Sequence, residues 1–188
     1  MRPTRLLPLL LLSAGMAIAH AEPIGQPPAV PSSAVPCLQG LRLKNSHTPP
    51  ELYLGVVQCA RERATFPAAA NMFVLAGVYG RYDQLRVKDA SAHQAVSVMR
   101  MAIDGHLSDD FRAYLRQIGA SRPAMQQMCA MVRRVGPPAY FPQYMVEHGL
   151  GATRAALEGH PAPGPLNEKL DKEHAWDEAI EGYLHCSE

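Results

Sequence analysis

Three acidic residues and a histidine fall within one short stretch where they could act together as acid and base. They are Asp104, His106, Asp109 and Asp110. Paired carboxylates beside an imidazole can hydrolyse a glycosidic bond when burial raises the pKa of one of them. The same acids can instead stabilise the start of a helix, where negative charge is favoured. We prefer capping of a helix that begins after Ser108, and a small cell-envelope hydrolase is the alternative.

A second group of side chains that could bind a metal lies near the C-terminus. His174, Glu178, Glu181 and His185 recur at helical spacing on one face of a predicted helix. Histidine and acidic side chains are zinc ligands. The two histidines are three turns apart, about 16 Å along the axis, which is too far for both to hold one ion. We therefore expect a solvated face, no metal site and no cofactor.

A third cluster combines tyrosine with arginine and contains Tyr79, Arg81, Tyr82, Asp83 and Arg86. We place it at the end of the second predicted helix and in the loop that follows. Tyrosine and arginine are enriched at binding hot spots. The plainer interpretation is that the tyrosines pack under the loop and that Arg81 pairs with Asp83. We predict that this cluster is a surface that recognises another protein.

Motifs that mark common enzymes are absent from the sequence. It has no G-x-S-x-G nucleophile elbow, no H-E-x-x-H, no phosphate-binding glycine loop and no dinucleotide fingerprint. Each of these motifs reflects a fixed geometric requirement of its chemistry. Their absence favours a non-enzymatic protein.

The N-terminus has the three parts of a secretory signal peptide. Arg2 and Arg5 precede an apolar run over 6–19, and Ala19-His20-Ala21 is a small-x-small cleavage site. The run is shorter than the roughly 20 apolar residues that span a membrane. We expect cleavage after Ala21, a periplasmic or secreted protein and no integral membrane segment.

The net charge of the chain indicates which classes of molecule it is suited to bind. The chain has 18 Lys and Arg against 17 Asp and Glu, and removal of Arg2 and Arg5 leaves 16 against 17. A nearly neutral protein without a basic stripe lacks the electrostatic surface that binds nucleic acid or anionic lipid. We therefore expect another protein as the partner, and the oligomeric state stays open.

Four cysteines, an even number in an exported chain, predict two disulfides. They are Cys37, Cys59, Cys129 and Cys186. Of the three pairings we favour Cys37–Cys59 with Cys129–Cys186, because these bonds would tie the N-terminal segment to the first helix and the last helix to the body. The other two pairings remain possible.

Helix signals dominate the chain from residue 37 onwards. The proline-rich stretch over 22–36 predicts an extended, mobile and disordered arm. Caps and apolar stripes then indicate helices that begin at or near these residues: Thr48, Pro67, Ser91, Ser108, Ser121, Tyr144 and Glu168. A loop is expected over 151–165, and the last helix should end near Leu184. We predict one all-α domain over 37–188.

The first two predicted helices resemble a tetratricopeptide or Sel-type repeat over residues 53–81. The positions that match are Tyr53, Val56, Val57, Ala60, Phe66, Ala69, Phe73 and Ala76. Small residues on the second helix of such a repeat allow close approach while aromatic side chains fill the groove between the helices. The sequence departs from the family at Val56-Val57, where a Leu-Gly pair is usual, and at Arg81, where proline is usual.

A more divergent second copy begins near Ala95 and has Phe111 where a small residue belongs. The resemblance implies stacked antiparallel helical hairpins with a C-terminal capping helix, and a protein-binding scaffold. By analogy with small exported helical proteins, we expect an accessory or immunity-type factor of the cell envelope that neutralises a toxin.

Overall fold

The computed structural model describes Cys37, residues 42–159 and residues 164–186. The predicted signal peptide (1–21) and arm (22–36) lie outside the described residues. Within the described part the protein is all-α, with eight α-helices and no strand. None of these helices is both long enough and apolar enough to cross a membrane.

The helices follow one another through short connections. They are α1 (Pro49–Cys59), α2 (Phe66–Arg86), α3 (Gln94–Asp104), α4 (Asp109–Ala120), α5 (Arg122–Val135), α6 (Gln143–Val146), α7 (Leu150–Glu158) and α8 (Lys172–Leu184). Short 3₁₀ turns at Arg63–Thr65 and Ala90–His93 lead into α2 and α3.

Local sequence explains where several helices begin. At the start of α1, the Glu51 carboxylate accepts hydrogen bonds from the Thr48 backbone N–H at 2.8 Å and from the Thr48 hydroxyl at 3.0 Å, the pair of residues that forms a capping box. The Ser108 and Ser121 hydroxyls each accept a hydrogen bond from the backbone N–H three residues ahead, at the starts of α4 and α5. The carboxylate of Asp171 caps α8 in a similar way. These contacts satisfy N–H groups that have no partner inside the helix.

Three predicted boundaries need correction. The loop prediction over 151–165 is wrong because α7 occupies Leu150–Glu158. None of the described side chains of α7 is buried, so the helix lacks the apolar stripe that would reveal it. The second helix continues without a break to Arg86 instead of ending near Tyr79. The last helix begins at Lys172, four residues after the predicted start.

Helix α2 lies at the centre of the core and packs mainly against α1 and α8. Small residues set the distance to its neighbours. A Cβ atom on Gly77 would lie 2.0 Å from Cζ of Tyr183 in α8, and one on Gly80 would lie 2.7 Å from Cγ1 of Val96 in α3. Because no side chain fits at these two positions, α8 and α3 approach the α2 backbone directly.

Two disulfides close the structure. Cys37 is bonded to Cys59 with 5.3 Å between the Cα atoms, and Cys129 is bonded to Cys186 with 6.0 Å between them. The first bond fixes the chain to the C-terminal end of α1, and the second joins α5 to the residues that follow α8. This is the pairing that the sequence favoured.

The disulfides make a first prediction about the purified protein. Titration of the denatured, unreduced protein should detect essentially no free thiol, whereas all four cysteines should react after reduction. Reduction should also lower the melting temperature, since each bond contributes about 2–4 kcal/mol. Two or more reactive thiols before reduction, in protein taken from the compartment where it folds, would contradict the pairing.

A second prediction tests the packing of α2 against α1. Ala76 is completely buried, so Ala76→Leu should overpack the core and lower the free energy of unfolding by about 1–3 kcal/mol. The matched control is Ala113→Leu at an exposed position within α4, where a change within about 0.5 kcal/mol is expected. Urea unfolding measures both. Equal effects of the two substitutions would show that this face of α2 is not tightly packed.

Candidate functional site

An apolar groove of about 630 Å³ lies between α1, α3 and the chain segment that carries α6. Its volume falls within the range of roughly 300–1,000 Å³ that is typical of ligand sites. Phe141 forms part of its rim and is 48% exposed. This groove is the candidate functional site.

One wall of the groove is a face of α1. This wall consists of Pro50, Tyr53, Leu54 and Val57, which recur at the spacing of a single helical face. The opposite face of α1, with Leu52 and Val56, is buried in the core. Helix α1 is therefore apolar on two faces, of which packing against α2 uses only one.

The second wall is α3, which presents Met99, Ala102, Ile103 and His106 at the same spacing. Helices α1 and α3 end close together, because the Ser108 hydroxyl donates to the Ala60 carbonyl at 3.4 Å. Polar side chains of both helices meet at this end of the groove. They are Arg61, just beyond α1, and His106, just beyond α3.

The third wall is the segment around α6, at the opposite end of the groove. The Ala139 N–H donates to the Asn45 carbonyl at 2.9 Å, which holds this segment beside the residues that precede α1. Met145 is buried in a small cluster with Ala92 and Ala95 and so anchors α6 to the start of α3. Three polar residues of this wall line the groove: Gln143, Glu147 and His148.

The buried carboxylate of Asp83, in α2, fixes the α6 wall on the side that faces away from the groove. Asp83 has no exposed surface. Its Oδ2 accepts hydrogen bonds from the hydroxyls of Tyr140 at 2.9 Å and Tyr144 at 2.6 Å. Its Oδ1 accepts a hydrogen bond from Nε of Arg86 at 2.7 Å. Since Tyr144 also lines the groove, this network connects α2 directly to the site.

Protonation within the network follows from its burial. Burial raises the pKa of the Asp83 carboxyl, and the Arg86 guanidinium and the two phenol hydrogen bonds oppose that shift. Burial, together with the nearby Asp83 charge, raises the pKa of Tyr140 and Tyr144 well above the ordinary value of tyrosine. Both phenols therefore keep their protons at neutral pH and remain hydrogen-bond donors to Asp83.

Side chains of α2 also fix the chain segment just before α6 through contacts with aromatic rings. The Arg86 guanidinium lies over the rings of Tyr82 and Tyr140, with its central carbon 5.3 Å and 5.2 Å from their centroids. The Tyr79 hydroxyl donates to the Gly136 carbonyl at 3.0 Å. Side chains of α2 thus fix the segment before α6 at several points along its length.

The five residues predicted as a recognition surface have a different environment from the one expected. Tyr79, Tyr82 and Asp83 are buried, because α2 continues past them and their spacing places them on one inward helical face. Arg81 lies on another face and pairs with Glu178 of α8 at 3.3 Å, not with Asp83. We therefore place recognition elsewhere. Apart from Arg81, these residues support the groove wall.

The acidic turn lies on the surface. Asp104 and Asp109 lie 3.7 Å and 3.6 Å from nitrogens of Arg112, and Asp110 lies 2.8 Å from Nη2 of Arg63. All three acids are exposed, and none of them lines the groove. Asp109 and Asp110 occupy the first turn of α4, where acids complement the helix dipole.

The polar face of α8 is also exposed. His174, Glu178, Glu181 and His185 all have solvent-exposed side chains. Among the described residues, no group of three or more His, Cys, Asp or Glu side chains is arranged to hold a metal ion.

Few of the groove residues stand out in the sequence, and His106, predicted as part of the acidic turn, is the exception. The repeat resemblance places Tyr53 and Val57 in the packing of a helical hairpin, and Phe141 belongs to no predicted motif. The available signal was the second apolar face of α1, formed by Pro50, Leu54 and Val57. A helix that is apolar on two faces requires a second contact surface.

Comparisons with protein-family models, with curated proteins and with solved structures found no match to this chain. Its function must therefore be inferred from the groove and the residues that hold it.

A third prediction tests the buried network. Asp83→Ala removes the counter-charge of Arg86, whose side chain is only 12% exposed, and should lower the free energy of unfolding by about 3–5 kcal/mol. The control, Glu178→Ala, breaks the exposed pair with Arg81 and should cost less than about 1 kcal/mol. Urea unfolding measures both. Similar losses in the two variants would mean that the Asp83 network does not hold the α6 wall.

Proposed function

We propose that this is an exported, non-enzymatic protein that binds a segment of another protein in the groove between α1, α3 and α6. The observation that carries the proposal is the groove itself, which is lined mainly by apolar side chains and has the partly exposed Phe141 at its rim. Contiguous apolar surface with a polar rim is typical of interaction sites on soluble proteins.

The shape of the groove favours a helical segment of the partner. Two neighbouring helices leave between them a channel into which the side chains of a third helix can pack. Recognition of an amphipathic helix in an apolar groove works in this way. From Pro50 to Arg61 the groove extends about 17 Å, or roughly three helical turns. The polar residues at its two ends would contact the polar flanks of such a helix.

The walls are well suited to binding because they are already fixed. The Cys37–Cys59 bond holds the end of α1, and the Asp83 network holds Tyr144. A partner therefore loses less binding free energy to ordering of the site. This rigidity supports the assignment of the groove as a binding site.

We propose further that α1 and α2 form a degenerate tetratricopeptide-like hairpin in a stack that α8 caps. The close packing of α1 on α2, with Ala69 and Ala76 buried between large residues, supports this relationship. The contact of α8 with α2 is what a capping helix would make. Scaffolds of this kind bind other proteins, which agrees with the proposed use of the groove.

The proposed place of action is the periplasm or the outside of the cell. The signal-like N-terminus and two disulfides, which form in oxidising compartments, support it. We favour an accessory or immunity-type role, in which the groove covers a functional segment of a toxin. Hydrolysis by Asp104, Asp109 and Asp110 is not proposed, because these carboxylates are exposed and do not face a common cavity.

A fourth prediction tests binding at the groove. The partner would be recovered from cell-envelope extract on the immobilised protein, identified and purified. Phe141→Ala should then weaken its binding at least about fivefold, as truncation of a hot-spot residue does. The matched control is Leu157→Ala, which removes an apolar side chain that is 84% exposed on α7, and it should bind like the wild type.

Calorimetric titration gives the affinities, and thermal melting checks that both variants are folded. Unchanged affinity of Phe141→Ala, or an equal loss in Leu157→Ala, would move the binding site away from the groove. A hydrolytic activity on envelope polymers that disappears in Asp110→Ala would instead support the enzymatic alternative.

A further inference from the structure

The sequence that immediately precedes the fold has the chemistry of a groove ligand. Residues 22–36 read EPIGQPPAVPSSAVP, with five prolines, several small apolar residues and a single charged side chain, that of Glu22. Proline-rich segments bind in grooves lined by aromatic side chains. Phe141, which is 48% exposed, supplies such a side chain in the groove of this protein, and the more buried Tyr53 and Tyr144 also line it.

The disulfide at Cys37 fixes where this segment leaves the fold. Cys37 is bonded to Cys59, the last residue of α1, with 5.3 Å between the Cα atoms. Arg61, two residues further along the chain, lines the groove. Residues 22–36 are therefore attached at the end of the groove where Arg61 and His106 lie.

The segment is long enough to enter the groove. Cys59 is buried on the core side of α1, so a segment that ran from Cys37 into the groove would have to pass around the end of that helix, a distance of about 10–12 Å. The groove itself extends about 17 Å along α1. An extended proline-rich chain spans about 3.1 Å per residue, so residues 22–36 could cover about 46 Å. This exceeds the required path by a wide margin.

We propose that residues 22–36 bind intramolecularly in the groove between α1, α3 and α6. A short tether gives the segment an effective concentration on the order of millimolar, so an intrinsic Kd well below millimolar is enough to keep the groove largely occupied. The nearly uncharged segment also brings no unpaired charge to the apolar walls. Binding of residues 22–36 in the groove does not depend on the proposed function. A partner that uses the same groove would have to displace these residues, and this consequence rests on the proposed function.

Photo-crosslinking tests the proposal without any partner. A benzoyl-phenylalanine in place of Phe141, in the otherwise unchanged chain, should crosslink to the peptide that contains residues 22–36, as identified by proteolysis and mass spectrometry. The matched control carries the same group in place of Leu157, on α7. We expect at least tenfold more crosslinking to residues 22–36 from position 141 than from position 157.

Two further measurements test whether residues 22–36 of the same chain are what occupies the groove. The double substitution Ile24→Glu and Val30→Glu should reduce the crosslink from position 141 at least tenfold, because it places charge against the apolar walls. A mixture of isotope-labelled and unlabelled chains should give crosslinks within one chain only. Equal crosslinking from positions 141 and 157, no crosslink from position 141, or crosslinks between labelled and unlabelled chains would each overturn the proposal. None of these results would affect the partner-binding test at Phe141.

Discussion

The groove depends on the buried carboxylate of Asp83. Burying a charge is unfavourable unless donors surround it, and here Arg86 and two phenols supply them. Because Tyr140 and Tyr144 bond to the same oxygen, their rings must both point towards α2. Phe141 lies next to Tyr140 in the chain and takes no part in this network, and its side chain is at the groove rim. One interaction thus sets both the position of the α6 wall and the exposure of its most prominent apolar side chain.

The hydrogen-bond network of Asp83 depends in turn on the tight packing of α2. Gly77 and Gly80 bring α8 and α3 against its backbone, so α2 contacts neighbouring helices on several sides. Closely packed interiors respond little to local forces. The face of α1 that is not needed for the core can therefore remain apolar and open without loss of the fold. An open apolar surface of this kind is unfavourable in water, and occupation by a ligand would offset that cost.

Much of the fold was predictable because its signals are local. Thr48, Ser108 and Ser121 mark helix starts through hydrogen bonds to backbone groups only three residues away. The all-α class and the two disulfides were likewise predicted. None of the described side chains of α7 is buried, so no apolar stripe predicts this helix. Its N-terminus is held by Asp89, far away in sequence, which accepts a hydrogen bond from the Gly151 N–H at 2.8 Å.

The candidate site was not predictable in the same way. Tyr79, Tyr82, Asp83 and Arg86 have the spacing of one helical face, but tyrosine with arginine is also typical of a binding surface, and the sequence predicts that the helix ends near Tyr79. The burial of Asp83 depends on hydrogen bonds that it accepts from Tyr140 and Tyr144, which lie 57 and 61 residues further along the chain. No local pattern encodes such a contact. The groove forms only when these distant residues come into contact in the folded protein. The sequences of α1 and α3 alone therefore do not predict it.

The charges at the two ends give the groove a direction. Arg61 lies just beyond the C-terminus of α1, where the helix dipole favours positive charge. Glu147 provides negative charge on the α6 wall at the other end. A bound segment therefore meets different electrostatic environments at its two ends, and its two possible orientations differ in energy. If a segment of a partner binds in the groove as proposed, these charges favour the orientation that places its acidic end towards Arg61.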